Sequence, residues 1–405
     1  MTKTLFYSAF VIGLLVANFG LHAYLWRRLI RDTALRGRWR LAVGGLIVCF
    51  ALLVPINFAV SRLFVRGSLF PLPQVIWTWL GVAFYLLTIF VASDVLRLAR
   101  RYFGGRDKCT KESPQGDGGE DESTLDRRLF VSRAIASSAA VAATGITGYG
   151  VVSANGDFYV PEVPVKLPRL PRQLDGFRIV HVSDIHIGPV LDGRFIDHLV
   201  ETANALKPDL VCITGDLVDG SVPAIGQDVG RLTKLKSKYG VAFSTGNHEY
   251  YAGVAPWLQF LSGLGFHVLG NQRISIGDSH VGGASFDLAG LHDRQGGRFH
   301  PSLVPNIDVA LAGRDPEREL VMMAHQPSQI DMIQGHGVGL QLSGHTHGGQ
   351  IWPFGLATLL VEPYLKGHHV HDDGTQIYVS CGAGYWGPPI RVGAPPEVAS
   401  IILTS

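Results

Sequence analysis

Three long apolar runs crowd the first hundred residues, at 5–26, 41–63 and 72–98. A helix needs about 20 such residues to cross a bilayer. Only a helix or a closed barrel satisfies its own backbone in hydrocarbon. A buried core helix is the alternative for any single run, but three in succession favour the membrane. A fourth run, 129–154, is richer in Ala, Gly and Ser and carries Arg133 near its start. For it, a crossing and a buried helix both stay open. The 47% hydrophobic content is therefore uneven, with the excess in the first 152 residues.

The charges between the runs predict an orientation. Residues 27–40 hold six arginines against one acid, Asp32, and residues 99–128 are again rich in Arg and Lys. The stretch 62–72 carries only Arg62 and Arg66. Positive loops stay cytoplasmic. The N-terminus is thus expected outside, and a crossing by the fourth run carries everything after it outside. The expected organisation is three transmembrane helices over 1–98, a polar cytoplasmic linker over 99–128, a fourth helix or signal anchor over 129–154, and a globular domain over 163–405. Within the linker, residues 106–126 have no periodicity and read as disordered. The run Arg127-Arg128-Leu129-Phe130-Val131-Ser132-Arg133 resembles a twin-arginine export signal, with Asp126 and Arg133 departing from its usual wording. It reads equally well as a plain positive-inside anchor.

From Arg178 onward, short β-branched runs alternate with helical spacing. Strands are predicted at 178–183, 210–214, 241–245, 320–324, 340–343 and 377–380, with a helix at 195–206. The alternation predicts an α/β fold, a β-sheet sandwich flanked by helices, preceded by the all-helical membrane region. The net charge of +2 and the absence of a basic patch with interleaved aromatics give nucleic-acid binding no support. Cys49, Cys109, Cys212 and Cys381 lack zinc-ligand spacing and read as small or incidental residues.

Five polar clusters follow five of the predicted strands: Asp184-Ile185-His186, Gly215-Asp216, Gly246-Asn247-His248-Glu249, His325, and Gly344-His345-Thr346-His347. In open α/β sheets the C-terminal strand ends line the ligand crevice, so the clusters are expected to converge. Carboxylate, amide and imidazole donors suit divalent ions such as Mn, Fe or Zn, and no thiolate joins them. Any one cluster is an ordinary capped turn; five in phase with five strands are not.

These motifs resemble the calcineurin-like metallophosphoesterase superfamily, whose signature runs D-x-H, G-D, G-N-H-[DE], a lone His, then G-H-x-H. The wording is closest to the bacterial membrane-associated branch that includes the YkuE-like and YaeI-like phosphodiesterases. GDLVDG stands at 215–220, GNHEYY at 246–251, AHQP at 324–327, SGHTHGGQ at 343–350 and GAPPE at 393–397. The resemblance covers the chain from about Val163 and does not reach the first three apolar runs. It implies that Asp184, His186 and His347 hold one metal, that Asn247, His325 and His345 hold another, and that Asp216 bridges both. His248 is implied to face the substrate phosphate rather than a metal.

Chemistry supports the pattern. Two cations about 3.5–4 Å apart neutralise a phosphate ester and deliver a bridging hydroxide near neutral pH. His248 is suited to protonate the leaving alkoxide or to stabilise its charge. Glu249 or Asp219 orients a histidine, or is a solvated turn carboxylate. Gly215, Gly246 and Gly344 are expected at tight turns needing positive φ. His368, His369 and His371 read as a solvated histidine-rich loop ahead of a third metal site, and Arg391 as a surface salt bridge ahead of a phosphate contact.

The expectation is a metal-dependent phosphoesterase of the cell membrane, multi-pass, with its catalytic domain outside the cytoplasm. It would act on phosphomono- or phosphodiesters, with phospholipid or lipid-linked substrates included. The rival is a membrane transport or sensor protein whose metallophosphoesterase-like domain binds phosphate without turnover.

Overall fold

The computed structural model describes residues 3–60, 71–103, 122–188, 190–278 and 283–405. The chain divides into two compact units, residues 1–149 and 150–405.

The first unit is helical. It contains α1 (Lys3–Trp26), α2 (Gly37–Val60), α3 (Pro71–Phe103) and most of α4 (Glu122–Ala154). Among the described residues, three stretches are long and apolar enough to cross a membrane: Gly37–Asn57, Leu72–Phe103 and Asp126–Ala154. Some polar side chains of this unit pair with one another, as a hydrocarbon setting favours. Trp79 Nε1 donates to His22 Nε2 at 3.0 Å, and Asp94 takes Tyr24 OH at 2.7 Å and Arg28 Nη1 at 3.1 Å. Helix α3 continues through residue 103 and α4 starts at residue 122. Helical hydrogen bonding propagates past the apolar stretch once a long helix has formed. Residues 104–121, Cys109 among them, and residues 61–63 of the second apolar run lie outside the described residues.

The second unit is a sandwich of two six-stranded sheets. Its strands are β1 (Glu162–Lys166), β2 (Phe177–Val182), β3 (Leu210–Thr214), β4 (Val241–Ser244), β5 (His267–Val268), β6 (Gln272–Gly277), β7 (Ser285–Gly290), β8 (Leu320–Met323), β9 (Leu340–Ser343), β10 (Gly367–Val370), β11 (Gln376–Val379) and β12 (Ala399–Thr404). One sheet has the order β1-β12-β2-β3-β4-β5 and the other β10-β11-β9-β8-β7-β6. Within them β2, β3 and β4 run parallel, as do β7, β8, β9 and β11.

Each sheet is covered on both faces, which is why its central strands read as unbroken apolar runs. Ile179, Leu210, Cys212 and Ala242 of the first sheet meet Leu288, Val321, Met323 and Leu342 of the second in a core between the sheets. The alternate residues Val180, Val182, Val211, Ile213 and Phe243 face outward, as the period of two requires. They are covered by α5 (Gly193–Ala205), α6 (Val222–Val229) and, beyond α7 (Asn247–Ala252), α8 (Val254–Gly263). Helix α5 begins where Asp192 caps the Arg194 N–H, and it buries Ile196, Leu199, Val200 and Ala203 on one stripe. On the second sheet's outer face, Ala289, Leu291, Leu320 and Met322 pack with Ile307, Ala310 and Ile333.

The fold begins before the expected boundary at residue 163. Tyr159 N donates to Pro396 O at 2.8 Å, and Phe158 is buried with Val180 and Val182. Six strands lie within a residue of their predicted ends. The others escape a hydrophobic-run reading; β7, for example, buries Asp287 completely, held by Arg273 and Arg318 at 3.2 Å each.

Candidate metal centre

The parallel registers align the strand ends. Val182 pairs with Ile213, and Ile213 with Phe243, so residues 184, 216 and 247 emerge side by side. Met323 pairs with Leu342, which does the same for residues 325 and 345. The turns that follow are strained. Asp184, His186, Asp216, His345 and His347 all have φ between +50° and +69°, where L-residues other than Gly are uncommon. Such strain gathers at functional sites and persists only where the surroundings over-determine it.

The glycines do a different job from the one expected. Gly215 does sit at φ +74°. Gly246 and Gly344 do not; they are small because a Cβ on Gly246 would strike the Asp216 carboxylate, and one on Gly344 would strike Ser183 and Asp184. Close approach is needed there, and the left-handed backbone falls on the polar residues.

Two groups of donor atoms result. In the first, Asp184, His186 and His347 converge. His347 Nε2 lies 3.4 Å from Asp184 Oδ1 and 3.1 Å from His186 Nε2. In the second, Asp216, His325 and His345 converge, with His325 Nε2 3.1 Å from Asp216 Oδ2. Asp216 Oδ2 also stands 3.9 Å from His186 Nε2, so one carboxylate lies between the groups. Asn247 is buried, and its Oδ1 has no hydrogen-bond partner.

The atoms facing one another are acceptors. His325 Nδ1 is held by the Thr214 carbonyl at 2.9 Å and His186 Nδ1 by Asp219 Oδ2 at 3.1 Å. Those bonds put the ring protons on Nδ1 and leave Nε2 a lone pair on each. Bare imidazole nitrogens, two carboxylates and an orphaned amide oxygen, all buried, repel one another unless cations lie among them. The residues therefore fit divalent metal ions. Burial, then the Arg391 cation, holds His347 well below the usual histidine range, and burial pushes His345 down to about 3. Both keep the lone pairs a metal ligand needs.

His248 stands beside both groups. Its Nε2 is 3.9 Å from Asp216 Oδ2, close enough that His186, Asp216 and His248 also make a possible ligand trio. Its Nδ1, however, is taken by Asp219 Oδ1 at 2.5 Å. Burial opposes the imidazolium, but Asp216 and Asp219 outweigh it and lift His248 to about 9. Tyr251 and Trp386 form its walls, with ring centroids at 5.3 and 5.8 Å.

The structure separates the two carboxylates that the sequence left open. Asp219 holds the two histidines. Glu249 is turned inward, where it accepts the N–H groups of Asp216 at 3.1 Å, Leu217 at 2.7 Å and Gly246 at 2.6 Å. It fixes the ligand-bearing turns and touches no histidine. Arg391 is not on the surface, and among the described residues it has no salt bridge. It is fully buried and donates to the carbonyls of His347, Cys381, Gly382 and Gly384. Its position eight residues before the last strand gave no signal of that. His368, His369 and His371 are spoken for by Gln376, the Lys366 carbonyl and Tyr364, and do not converge.

Residues 177–349 match the family described as calcineurin-like phosphoesterase. An uncharacterized metallophosphoesterase of Helicobacter pylori is 42% identical over 245 residues, 60% of this chain and 63% of its own length. A transmembrane protein with metallophosphoesterase domain from Danio rerio is 33% identical over 259 residues, 63% of this chain and 59% of its own. The uncharacterized metallophosphoesterase YkuE of Bacillus subtilis is 31% identical over 297 residues, 69% of this chain and 98% of its own. The chain thus spans somewhat under two thirds of the Helicobacter and Danio proteins and nearly all of the Bacillus one.

Proposed function

The chain belongs to the calcineurin-like metallophosphoesterases, and from that premise we propose that it is a two-metal phosphoesterase hydrolysing phosphomono- or phosphodiesters, lipid-borne ones among them, at the outer surface of a membrane. The observation that carries this reading is the pair of acceptor groups sharing Asp216. Asp184, His186 and His347 would hold one ion, Asn247, His325 and His345 the other, and Asp216 both. Mn, Fe and Zn suit such a donor set. When bound, the ions supply Lewis acidity toward phosphoryl oxygens and acidify water near neutral pH.

The protein's own groups complete the chemistry. His248, its Nδ1 proton anchored on Asp219, turns Nε2 toward the centre, where it meets a phosphate oxygen or hands a proton to the leaving alkoxide. Tyr251 and Trp386 keep water from that proton and give an apolar leaving group somewhere to rest. Glu249 and Arg391 hold the strained turns that present the ligands. A domain that merely bound phosphate would have no use for a histidine so buttressed.

The test is hydrolysis of bis-p-nitrophenyl phosphate by the purified full-length protein after chelation and after readdition of manganese. Turnover restored by metal is expected. Phosphate binding without turnover after manganese is restored would return the reading to a sensor or transporter.

A further inference from the structure

Six large apolar side chains stand exposed within ten residues of chain, just after the strand-end histidines: Trp352, Phe354, Leu356, Leu359, Leu360 and Val361. Leu360 and Val361 are 85% and 75% exposed. No Asp, Glu, Lys or Arg falls between residues 348 and 361. Soluble surfaces rarely carry such a patch without a partner.

The segment is firmly built. At its start Gly349, with φ +80°, backs onto Gly355 so closely that a Cβ would strike the Gly355 backbone. Thr346 Oγ1 donates to Leu365 O at 2.6 Å, and at the far end buried Glu362 accepts from Ser328 N at 2.8 Å. Gln350 clasps the Trp386 backbone from both sides, Nε2 donating to its O at 3.0 Å and Oε1 accepting from its N at 3.1 Å. Trp386 is itself half exposed and lies against His248. The apolar surface therefore starts at the rim of the site.

Neighbouring chain indicates what covers it. Trp352 N donates to Val392 O at 3.0 Å, and one residue away Arg391 N donates to Gly150 O at 2.9 Å. Gly150 packs on Ile390 and Val392 with no room for a Cβ. It lies in the last turns of α4, within the 126–154 stretch apolar enough to cross a membrane. The segment bearing Trp352 is thus one hydrogen-bonded segment from the end of that stretch. Only residues 155–161 join α4 to β1, a reach of about 25 Å at full extension.

We infer that residues 352–361, with Trp386, form a bilayer-docking face that seats the rim of the metal centre in the interfacial zone of the membrane. Trp and Phe beside Leu and Val suit that zone, where one end of a side chain is apolar and the other wet. With no charge in the segment, docking proceeds by apolar insertion and not by attraction to anionic headgroups. The docking stands independently of the reaction; its use, delivering a lipid-borne phosphoester to the site, rests on the function proposed above.

Full-length protein reconstituted in phosphatidylcholine vesicles with brominated acyl chains tests this. The share of emission due to Trp352, taken as wild type minus Trp352→Tyr, should be quenched by bromolipid and shielded from aqueous iodide; the reverse overturns the inference. In Leu360→Glu/Val361→Glu, KM for a vesicle-borne phosphodiester should rise about tenfold or more, with bis-p-nitrophenyl phosphate turnover unchanged. An unchanged KM overturns it. So does a double variant that only dissociates an oligomer in detergent, since the face would then belong to a second copy. If the wild type turns over neither substrate, the proposed reaction fails while the quenching still decides the docking.

Discussion

Asp219 Oδ1 lies 2.5 Å from Nδ1 of His248, while Oδ2 of the same carboxylate lies 3.1 Å from Nδ1 of His186. One side chain fixes a candidate ligand and a candidate proton donor together, and the two rings stand edge to face at 4.6 Å. Each Nδ1 proton is held outward, so each Nε2 is aimed inward. Burial would raise Asp219, but His186 and His248 hold it below the usual carboxylate range, so it remains the anion this arrangement needs.

Asp219→Asn should therefore lower kcat by about 10–100-fold, the usual cost of losing a partner that orients a ligand. It should also change the pH profile. His248 is raised to about 9 by Asp216 and Asp219, against its burial. Bound cations oppose the proton, so the alkaline limb of kcat should lie at or below that value, with activity lost as pH rises through it. Removing the Asp219 charge removes part of the lift, so the limb should move to lower pH. A limb that stays in place, measured from kcat across the pH range, would detach Asp219 from His248.

Metal content should distinguish ligand from acid. His248→Ala should lose roughly 10²–10⁴-fold in kcat while keeping its metal. Asp216→Asn, which stands between both groups of donors, should lose more activity and more metal than His186→Ala. Elemental analysis alongside turnover measures both. A His248→Ala protein short of one metal would make the trio with His186 and Asp216 the true ligand set.

Arg391 should carry stability. Its guanidinium, pushed down to about 10 by burial yet still charged at neutral pH, is the hydrogen-bond partner of four loop carbonyls around His347. Arg391→Leu should cost about 3–5 kcal/mol, because the carbonyls stay buried without donors. In a domain of this size that amounts to roughly 10 °C in apparent Tm. Arg391→Lys should recover little, since an ammonium lacks the planar fork. An unchanged melting curve in detergent would show that the loops close without it.

The sequence exposes what burial on two faces forces. LVCIT at 210–214 reads as a strand because both sides of β3 are covered. The polar clusters stand out because each breaks such a run at its C-terminal end. What stays hidden is whatever depends on direction. Spacing does not tell that Asp219 turns to two histidines while Glu249, also three residues beyond the aspartate or glycine before it, turns to backbone N–H groups. Nor does a lone Arg near the C-terminus announce a buried staple. Strand β7 is hidden by Asp287, whose charge makes sense only with arginines from two other segments. The φ values of +50° to +69° at five candidate ligands have no composition signal either, since none is Gly.

Charge asymmetry and helix length together predict where the site works. Residues 27–40 and 99–128 are arginine-rich and should both face the cytoplasm. The 126–154 stretch, long and apolar enough to cross, would then carry Asp184 and every later site residue to the other side. Alkaline phosphatase, active only outside the cytoplasm, can be fused after Pro161 or after Asp117. Activity at Pro161 and none at Asp117 is expected. No activity at either fusion would mean that α4 does not cross, so that the apolar face at 352–361 meets the cytoplasmic leaflet. A phosphoester displayed on the outer leaflet would then be beyond its reach, and the substrate would have to be sought among lipids or soluble esters on the cytoplasmic side.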